Sequence, residues 1–349
     1  MGSAFSQTSS YGIEDRHAQA WIALQADLLR APNTISSYAR GLGHFLHFCQ
    51  RSNSSPIDVG RGVIAAYIRE LSGRTDDAAR EAQSPRTTLA NASIRHRLTV
   101  VRLFFDYLVE EGLRVSNPVS RGQRGSLSGG ASRRGLVVVE RRIPWIPSDD
   151  AWCAVLAIAK RGSARNRLML ALAYDCALRR EELCALRTGD VDPAHRLLRV
   201  RAETTKTKQA RVVPYSPVTA DLYAAYLLER RRLSSSRGPL FLSESTRNRP
   251  APLSIWTWSK VIRQIGLDAD VPELTTHTFR HLCLTDLARA GWDIHEIARF
   301  AGHRSVQSTL LYIHISARDL VEKLSQGMTA IHEQRLAQLR SATEGLVQP

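Results

Sequence analysis

Residues 120–135 read SRGQRGSLSGGASRRG, and no apolar residue recurs there at helix or strand spacing. Such a stretch has nothing to bury and cannot be part of a packed core, so it predicts a linker with separate folded bodies on either side. The length of the chain, 349 residues, agrees, because a single core seldom grows that far. Hydrophobic residues make up 43%, enough for folded interiors.

Before the linker the pattern is helical. Tyr38, Leu42, Phe45, Leu46 and Cys49 recur at helical spacing, then Val63, Ile64, Tyr67, Ile68 and Leu71, then Ile94, Leu98, Val101, Phe105 and Leu108. The polar segment SGRTDDAAREAQSPRTTLANAS separates the second and third runs and is expected to be a long loop. After the linker the types mix. Helices are expected at 151–160, 165–187, 219–232, 255–265, 277–290, 294–301 and 305–314, and RLLRVRAETTKTKQARVVPYS predicts two or three short strands with a turn around Thr205 to Gln209. The expected fold is mainly α with a small β-sheet. Its boundaries are an N-terminal tail at 1–17, a helical domain at 18–118, a linker at 119–136, a mixed α/β domain at 137–315 and a helical tail at 316–349.

Charge narrows the partner. Lys plus Arg number 48 against 33 Asp plus Glu, a formal charge of +15, which favours an extended polyanion, with nucleic acid the first candidate. Most of the excess is Arg, whose planar fork can hold a phosphate through two parallel hydrogen bonds. Arg95, Arg97 and Arg102 lie off the apolar stripe of their helix, and Arg121, Arg124, Arg133 and Arg134 punctuate the linker. These arginines suit phosphate contacts, and equally a solvated helix face and a soluble tether.

No apolar run approaches the roughly 20 residues needed to span a bilayer, so no membrane partner is expected. Cys49, Cys153, Cys176, Cys184 and Cys283 are scattered without a CxxC pair and are expected to be buried thiols in a reducing compartment, which suits the cytoplasm.

Four short motifs carry chemical potential. In YDCALRREELCALRTGDVD, Arg179 and Glu182 are three apart and can pair. In THTFRH, His277 and Arg280 have the same spacing at an expected helix start closed later by Gly291. Asp293 and Glu296 have capping-box spacing, Gly302 is placed to stop that helix, and His303 emerges at its end. Ser305 is a plausible cap for a following helix carrying Tyr312 in TLLYIH. Each motif alone reads more simply as an ion pair, a helix end or a core aromatic.

Together and in this order they resemble the active site of the tyrosine recombinases, the phage integrase family. The resemblance spans essentially the whole chain: a helical core-binding domain, a linker, a mixed catalytic domain and a helical tail. It implies Arg179, His277, Arg280 and His303 as phosphate-activating residues, Tyr312 as nucleophile and Glu182 in support. It further implies a lysine in a strand turn. Alignment on Arg211 and Pro214 selects Lys206, with Lys208 an alternative, because Thr205 and Thr207 replace the usual glycines. Cys176 and Ala177 likewise stand where Thr-Gly or Ser-Gly is common before Leu-Arg.

The chemistry fits the residue types. A phosphodiester gathers negative charge on its nonbridging oxygens during attack, and two guanidiniums give fixed donors for that charge without a metal. The phenol must lose a proton, for which His277 is the better acceptor and His303 the better donor to phosphate; a lysine ammonium can protonate the departing 5′ oxygen. The resemblance implies a 3′-phosphotyrosyl intermediate formed without metal, cofactor or ATP, on double-stranded DNA carrying specific recombination sites. It also implies a homotetramer in which the tail stripe of Leu320, Leu324, Met328, Ile331, Leu336 and Leu339 contacts a neighbouring protomer. Competing expectations are a type IB topoisomerase, a noncatalytic basic DNA-binding protein, and a zinc nuclease built on His277, His281, His295 and His303. The last has no HExxH or Cys/His ligand spacing behind it.

Overall fold

The computed structural model describes residues 14–73, 89–119, 136–137, 144–310 and 312. The chain divides into two compact units, 1–142 and 143–349.

The described part of the first unit is helical: α1 (Arg16–Asp27), α2 (Pro32–Arg51), α3 (Arg61–Leu71) and α4 (Asn91–Glu110). Asp15 starts α1 by accepting from the backbone of His17 and Ala18, and Pro32 opens α2 at a position whose N–H would have no helical partner. The apolar stripes meet in an aromatic core of Trp21, Phe45, Tyr67, Phe104 and Phe105, each 2% exposed or less. Side chains of this size contribute about 1.5–3 kcal/mol each on full burial. Phe45 packs edge-on to Tyr67 and to Phe105, with centroids 5.1 and 5.8 Å away. Arg114 pins the loop before α3 by donating to the carbonyls of Ile57 and Val59, and its guanidinium lies 5.0 Å over Phe105.

Arg95 is exposed on α4, as its place off the stripe predicts, whereas Arg97 and Arg102 are half-buried. The charge of Arg97 acts on the hydroxyl of Tyr67, which lies 3.0 Å from His44 Nδ1. Half-buried beside Tyr67, Arg97 has a packing role besides its charge. The linker arginines Arg121, Arg124, Arg133 and Arg134, most of the expected long loop and the tail stripe lie outside the described residues; Val137, beyond the linker, packs on the core of the first unit.

The described part of the second unit contains α5 (Asp149–Ala159), α6 (Ala164–Asp175), α7 (Arg180–Cys184), α8 (Pro217–Leu233), α9 (Ile255–Asp268), α10 (Thr278–Arg289) and α11 (Ile294–Ala301). Serines start four of them: Ser148, Ser163, Ser216 and Ser254 each accept from a backbone N–H in the first turn. β1 (Val191–Asp192), β2 (Leu197–Val200) and β3 (Arg211–Pro214) form an antiparallel sheet in that order, with Leu198 opposite both Val191 and Val213. Leu198, Val200 and Val213 face inward while Val212 is 58% exposed, the alternation of a one-sided sheet. α6 packs along α8, and the core gathers around Leu168, Leu198, Tyr226, Phe241, Trp258 and Phe279.

Two expectations need correction. A single helix over 165–187 does not form: α6 ends at Asp175, the chain turns through Cys176–Arg179, and α7 is a separate short helix. The break is set at Ala177, whose φ of 45° is left-handed, a conformation any helix interior excludes. And Cys153 is exposed on α5, the other four cysteines being buried as expected. Among the described residues, no helix is long and apolar enough to cross a membrane.

Candidate active site

The elements around the Ala177 turn converge on one cage of charged side chains. Arg179 is the last residue before α7. Its N–H and its Nη1 donate to the two carboxylate oxygens of Glu182 at 3.0 and 2.9 Å. Glu182 is only 1% exposed, so a second partner has to balance it, and Arg211 at the start of β3 does so with Nη1 and Nη2 at 3.2 and 2.7 Å. Burial alone would push the Glu182 carboxyl up; the hydrogen bonds and charge of Arg211, then those of Arg179, override it and bring it down to about 2. The spacing of Arg179 and Glu182 thus produces the expected pair, but the carboxylate is shared with Arg211. Arg211 served in the sequence only as an alignment mark.

Arg280 lies in the first turn of α10 and is 4% exposed. It donates to the Ala177 carbonyl at 2.5 Å and to the Ala301 carbonyl at 2.6 Å, tying the turn before Arg179 to the end of α11. Burial, with Arg179 nearby, lowers it to about 10, which leaves it cationic at neutral pH. α11 starts and stops as its sequence predicts, with a reciprocal cap between Asp293 and Glu296 and a left-handed Gly302 at φ 61°. His303 follows, half-buried, with Nδ1 2.8 Å from Thr309 Oγ1. Burial and then the guanidiniums of Arg280, Arg179 and Arg211 lower it to about 3.

Tyr312 closes the cage. The expected helix from Ser305 begins instead as a 3-10 turn, Val306–Ser308, because Ser305 caps Gln307 and Thr309 bonds back to Val306; the N–H of Tyr312 then bonds the Thr309 carbonyl. The tyrosine is 3% exposed, with its ring stacked at 8° on His303, centroids 6.3 Å apart. Burial raises its phenol, and the charges of Arg280 and Arg179 oppose that rise. Among the described residues the hydroxyl's hydrogen-bond partner is His281, with Nδ1 at 2.8 Å. His277 precedes α10 at the mouth of the cage. Its outer edge is open to solvent, its inner side is crowded enough for burial to lower its pKa, and its ring centroid lies 6.4 Å from that of His281.

The lysines lie on an exposed loop. Thr205 closes the loop between β2 and β3 by donating to the Ala202 carbonyl at 3.0 Å and accepting from the Gln209 N–H at 3.1 Å. That side-chain closure does the work glycines would do there. Lys208 takes the left-handed position at φ 57°, and both Lys206 and Lys208 are exposed. Neither lysine side chain has a hydrogen bond or ion pair among the described residues, where no cluster of three or more His, Cys, Asp and Glu suits a metal ion.

Arg179, Glu182, Arg211, Arg280, His303, His281 and Tyr312 therefore form one connected set, with His277 at its rim. Three guanidiniums against one buried carboxylate leave the cage cationic, fit for a single negative charge such as a phosphodiester. Arg211 and His281 are the members sequence reasoning missed. Arg211 marked the strand turn, and its pairing became visible only with the burial of Glu182, which needs more cation than one half-exposed arginine supplies. His281 stood next to Arg280 and was named only among the histidines of the zinc alternative.

Comparison with known proteins gives the family. Residues 149–318 match the phage integrase family and residues 19–112 the N-terminal SAM-like domain of phage integrases. Such a pair defines an enzyme that breaks and rejoins DNA strands. The chain belongs to the phage integrase family, the tyrosine recombinases. Among its relatives, the tyrosine recombinase XerC of Mycobacterium bovis (strain BCG / Pasteur 1173P2) is 26% identical over 310 residues, covering 86% of this chain and 93% of the relative. XerC of Thermodesulfovibrio yellowstonii is 28% identical over 302 residues, covering 83% and 88%. The XerH site-specific recombinase bound to palindromic difH substrate has the same fold, with a TM-score of 0.64, 16% identity, and coverage of 90% of this chain and 89% of that one. So does the integrase of transposon Tn1549 in complex with transposon right-end DNA, with a TM-score of 0.64, 16% identity, and coverage of 88% and 99%.

Proposed function

We propose that this recombinase acts at specific double-stranded DNA sites through a 3′-phosphotyrosyl intermediate on Tyr312. The observation that carries the reading is the burial of the Tyr312 hydroxyl inside a cage whose charge comes from Arg179 and Arg280. Arg179 and Arg280 hold the nonbridging oxygens of the scissile phosphate, and His303 and His277 add donors. Removing one such donor costs about 10² to 10³ in rate. Glu182 and Arg211 keep Arg179 in place from behind. Attack by Tyr312 expels the 5′ oxygen, which takes a proton from Lys206 as DNA draws the exposed loop inward. The phosphotyrosyl ester resembles in energy the bond it replaces, so a 5′ hydroxyl of a partner strand can reverse the step without ATP or metal. In this reading four protomers work together in the cytoplasm, each tail contacting its neighbour, and Arg95, Arg97, Arg102, Arg133 and Arg134 follow the DNA backbone.

The test incubates the protein in EDTA with nicked suicide duplexes carrying randomised arms, recovers the covalent adducts, and maps the modified peptide by mass spectrometry. The expected result is one enriched duplex joined to Tyr312, with Tyr312→Phe binding that duplex at wild-type affinity and forming no adduct. No adduct on bound DNA, an adduct at another residue, or a requirement for a divalent metal overturns the proposal.

A further inference from the structure

The hydrogen bond between His281 and Tyr312 has no part in the roles assigned above, and it involves the reacting atom. Nδ1 lies 2.8 Å from the hydroxyl, and the ring centroids are 5.7 Å apart. The ring is carried on a fixed stretch of backbone, since Thr285 Oγ1 donates to the His281 carbonyl at 2.8 Å and Arg280 next door is tied to two carbonyls. The groups facing the pair are His277, Arg280 and Cys283 from α10 and its N-terminus, Arg179 from before α7, and His303 from after α11. Glu182, the carboxylate of the cage, is held by Arg179 and Arg211. Among the described residues, His281 thus has cations and imidazoles around it and no carboxylate to keep it charged. Burial, then His277 and Arg280, lower it to about 4, so it stands neutral at working pH with a lone pair to offer. His277 has no hydrogen bond to the hydroxyl among the described residues.

We infer that His281 is the proton acceptor for Tyr312. At rest the Tyr312 Oη–H donates to Nδ1 and the ring proton sits on Nε2. As the Oη–P bond forms, the hydroxyl proton passes to Nδ1, while the P–O5′ bond breaks and the departing oxygen takes its proton from Lys206. On religation the 5′ hydroxyl attacks and gives its proton back to the neutral amine of Lys206, the Oη–P bond breaks, and the proton returns from Nδ1 to Oη. The transfer is uphill in the free protein. It becomes favourable in the complex, because a phenolic oxygen bonding to phosphorus grows far more acidic and the incoming phosphate charge stabilises an imidazolium beside it. This assignment rests on the phosphotyrosyl reading.

His281→Asn tests it, since asparagine keeps a hydrogen-bonding atom where Nδ1 stood but is a very weak base. With the duplex enriched from the nicked library, single-turnover adduct formation is expected to fall about 10²-fold or more at pH 7. DNA affinity should hold, and the rate should now climb about tenfold per pH unit toward pH 9 where the wild-type rate is flat. Fluorotyrosine, a more acidic phenol, should narrow the gap, whereas a 5′-bridging phosphorothiolate, whose sulfur leaves without a proton, should not. Adduct formation at the wild-type rate, or a loss equal at every pH, overturns the assignment. Should His281→Asn fail to fold, ¹⁵N-histidine NMR of the wild-type protein decides, with the resonance identified by its response to Tyr312→Phe. An Nε2–H tautomer is expected, and a proton resident on Nδ1 overturns the inference. A wild-type protein that forms no adduct overturns the recombination mechanism instead; an adduct indifferent to residue 281 overturns this role alone.

Discussion

Gly302 and Arg211 approach so closely that a Cβ on the glycine would lie 3.0 Å from Arg211 Nη1 and 3.2 Å from its Cδ. The glycine ends α11 in a left-handed turn, and the arginine holds the buried carboxylate of Glu182. Stopping a helix and seating a guanidinium are therefore one requirement here. Gly302→Ala should cost about 1–2 kcal/mol for the left-handed conformation alone, and more for the displaced Arg211. A thermal melt of the variant should show a midpoint several degrees below wild type, and adduct formation at Tyr312 should slow; an unchanged midpoint would show that the glycine is dispensable.

Glu182→Gln should be among the most damaging single changes in the second unit. It removes the one carboxylate between Arg179 and Arg211 at a position 1% exposed. Breaking a buried pair in this way costs about 3–5 kcal/mol. Urea unfolding measures it: a loss under about 1 kcal/mol would mean that solvent reaches the arginines and replaces the carboxylate.

Stability should fall with acid well before most carboxylates titrate. Unfolded, His281 and His303 titrate near 6.5; folded, they are held at about 4 and about 3. Between those limits the unfolded chain binds more protons, so their contribution is complete above about pH 6.5 and is lost as pH drops, by up to about 1.4 kcal/mol per pH unit for each histidine. Glu182, lowered from 4.5 to about 2, extends the loss with the same sign into a more acid window. The thermal midpoint should decline steadily from pH 7 to pH 4, and His303→Asn should flatten part of that slope. A midpoint constant across the range contradicts the buried neutral histidines.

Arg95 and Arg97 should separate into two kinds of residue. Exposed Arg95, replaced by Ala, should leave folding intact and reduce the salt dependence of DNA binding by about one phosphate contact, a change near 0.9 in the log–log slope. Arg97→Ala should also lower the melting temperature, because its side chain is half-buried beside the buried Tyr67 whereas that of Arg95 is exposed. Equal melting temperatures for the two variants would remove the distinction.

Local chemistry made part of this molecule readable in advance. The cap between Asp293 and Glu296, the stop at Gly302 and the one-sided strands around Leu198 depend on neighbours a few residues away. So do the pairing of Arg179 with Glu182 and the placing of Arg280 in the first turn of its helix. The helix break at Ala177 was less legible, since alanine favours a helix and the turn's carbonyl is claimed by Arg280, 103 residues away. The exposure of Cys153 was hidden for a similar reason: an apolar neighbourhood in sequence does not say which side of α5 faces the core.

By itself, the sequence determined the two-body organisation, the mainly helical class, the cationic character and the order of the reactive side chains. The first three follow from periodicity, composition and charge along the chain, and the last from the resemblance to the tyrosine recombinases. Only tertiary structure decided that Glu182 serves two arginines, that the Tyr312 hydroxyl faces His281 rather than His277, and that Lys206 is exposed. Those choices turn on directions and distances between residues far apart in sequence, where a shift of a few ångströms changes a hydrogen-bond partner and leaves every local pattern untouched.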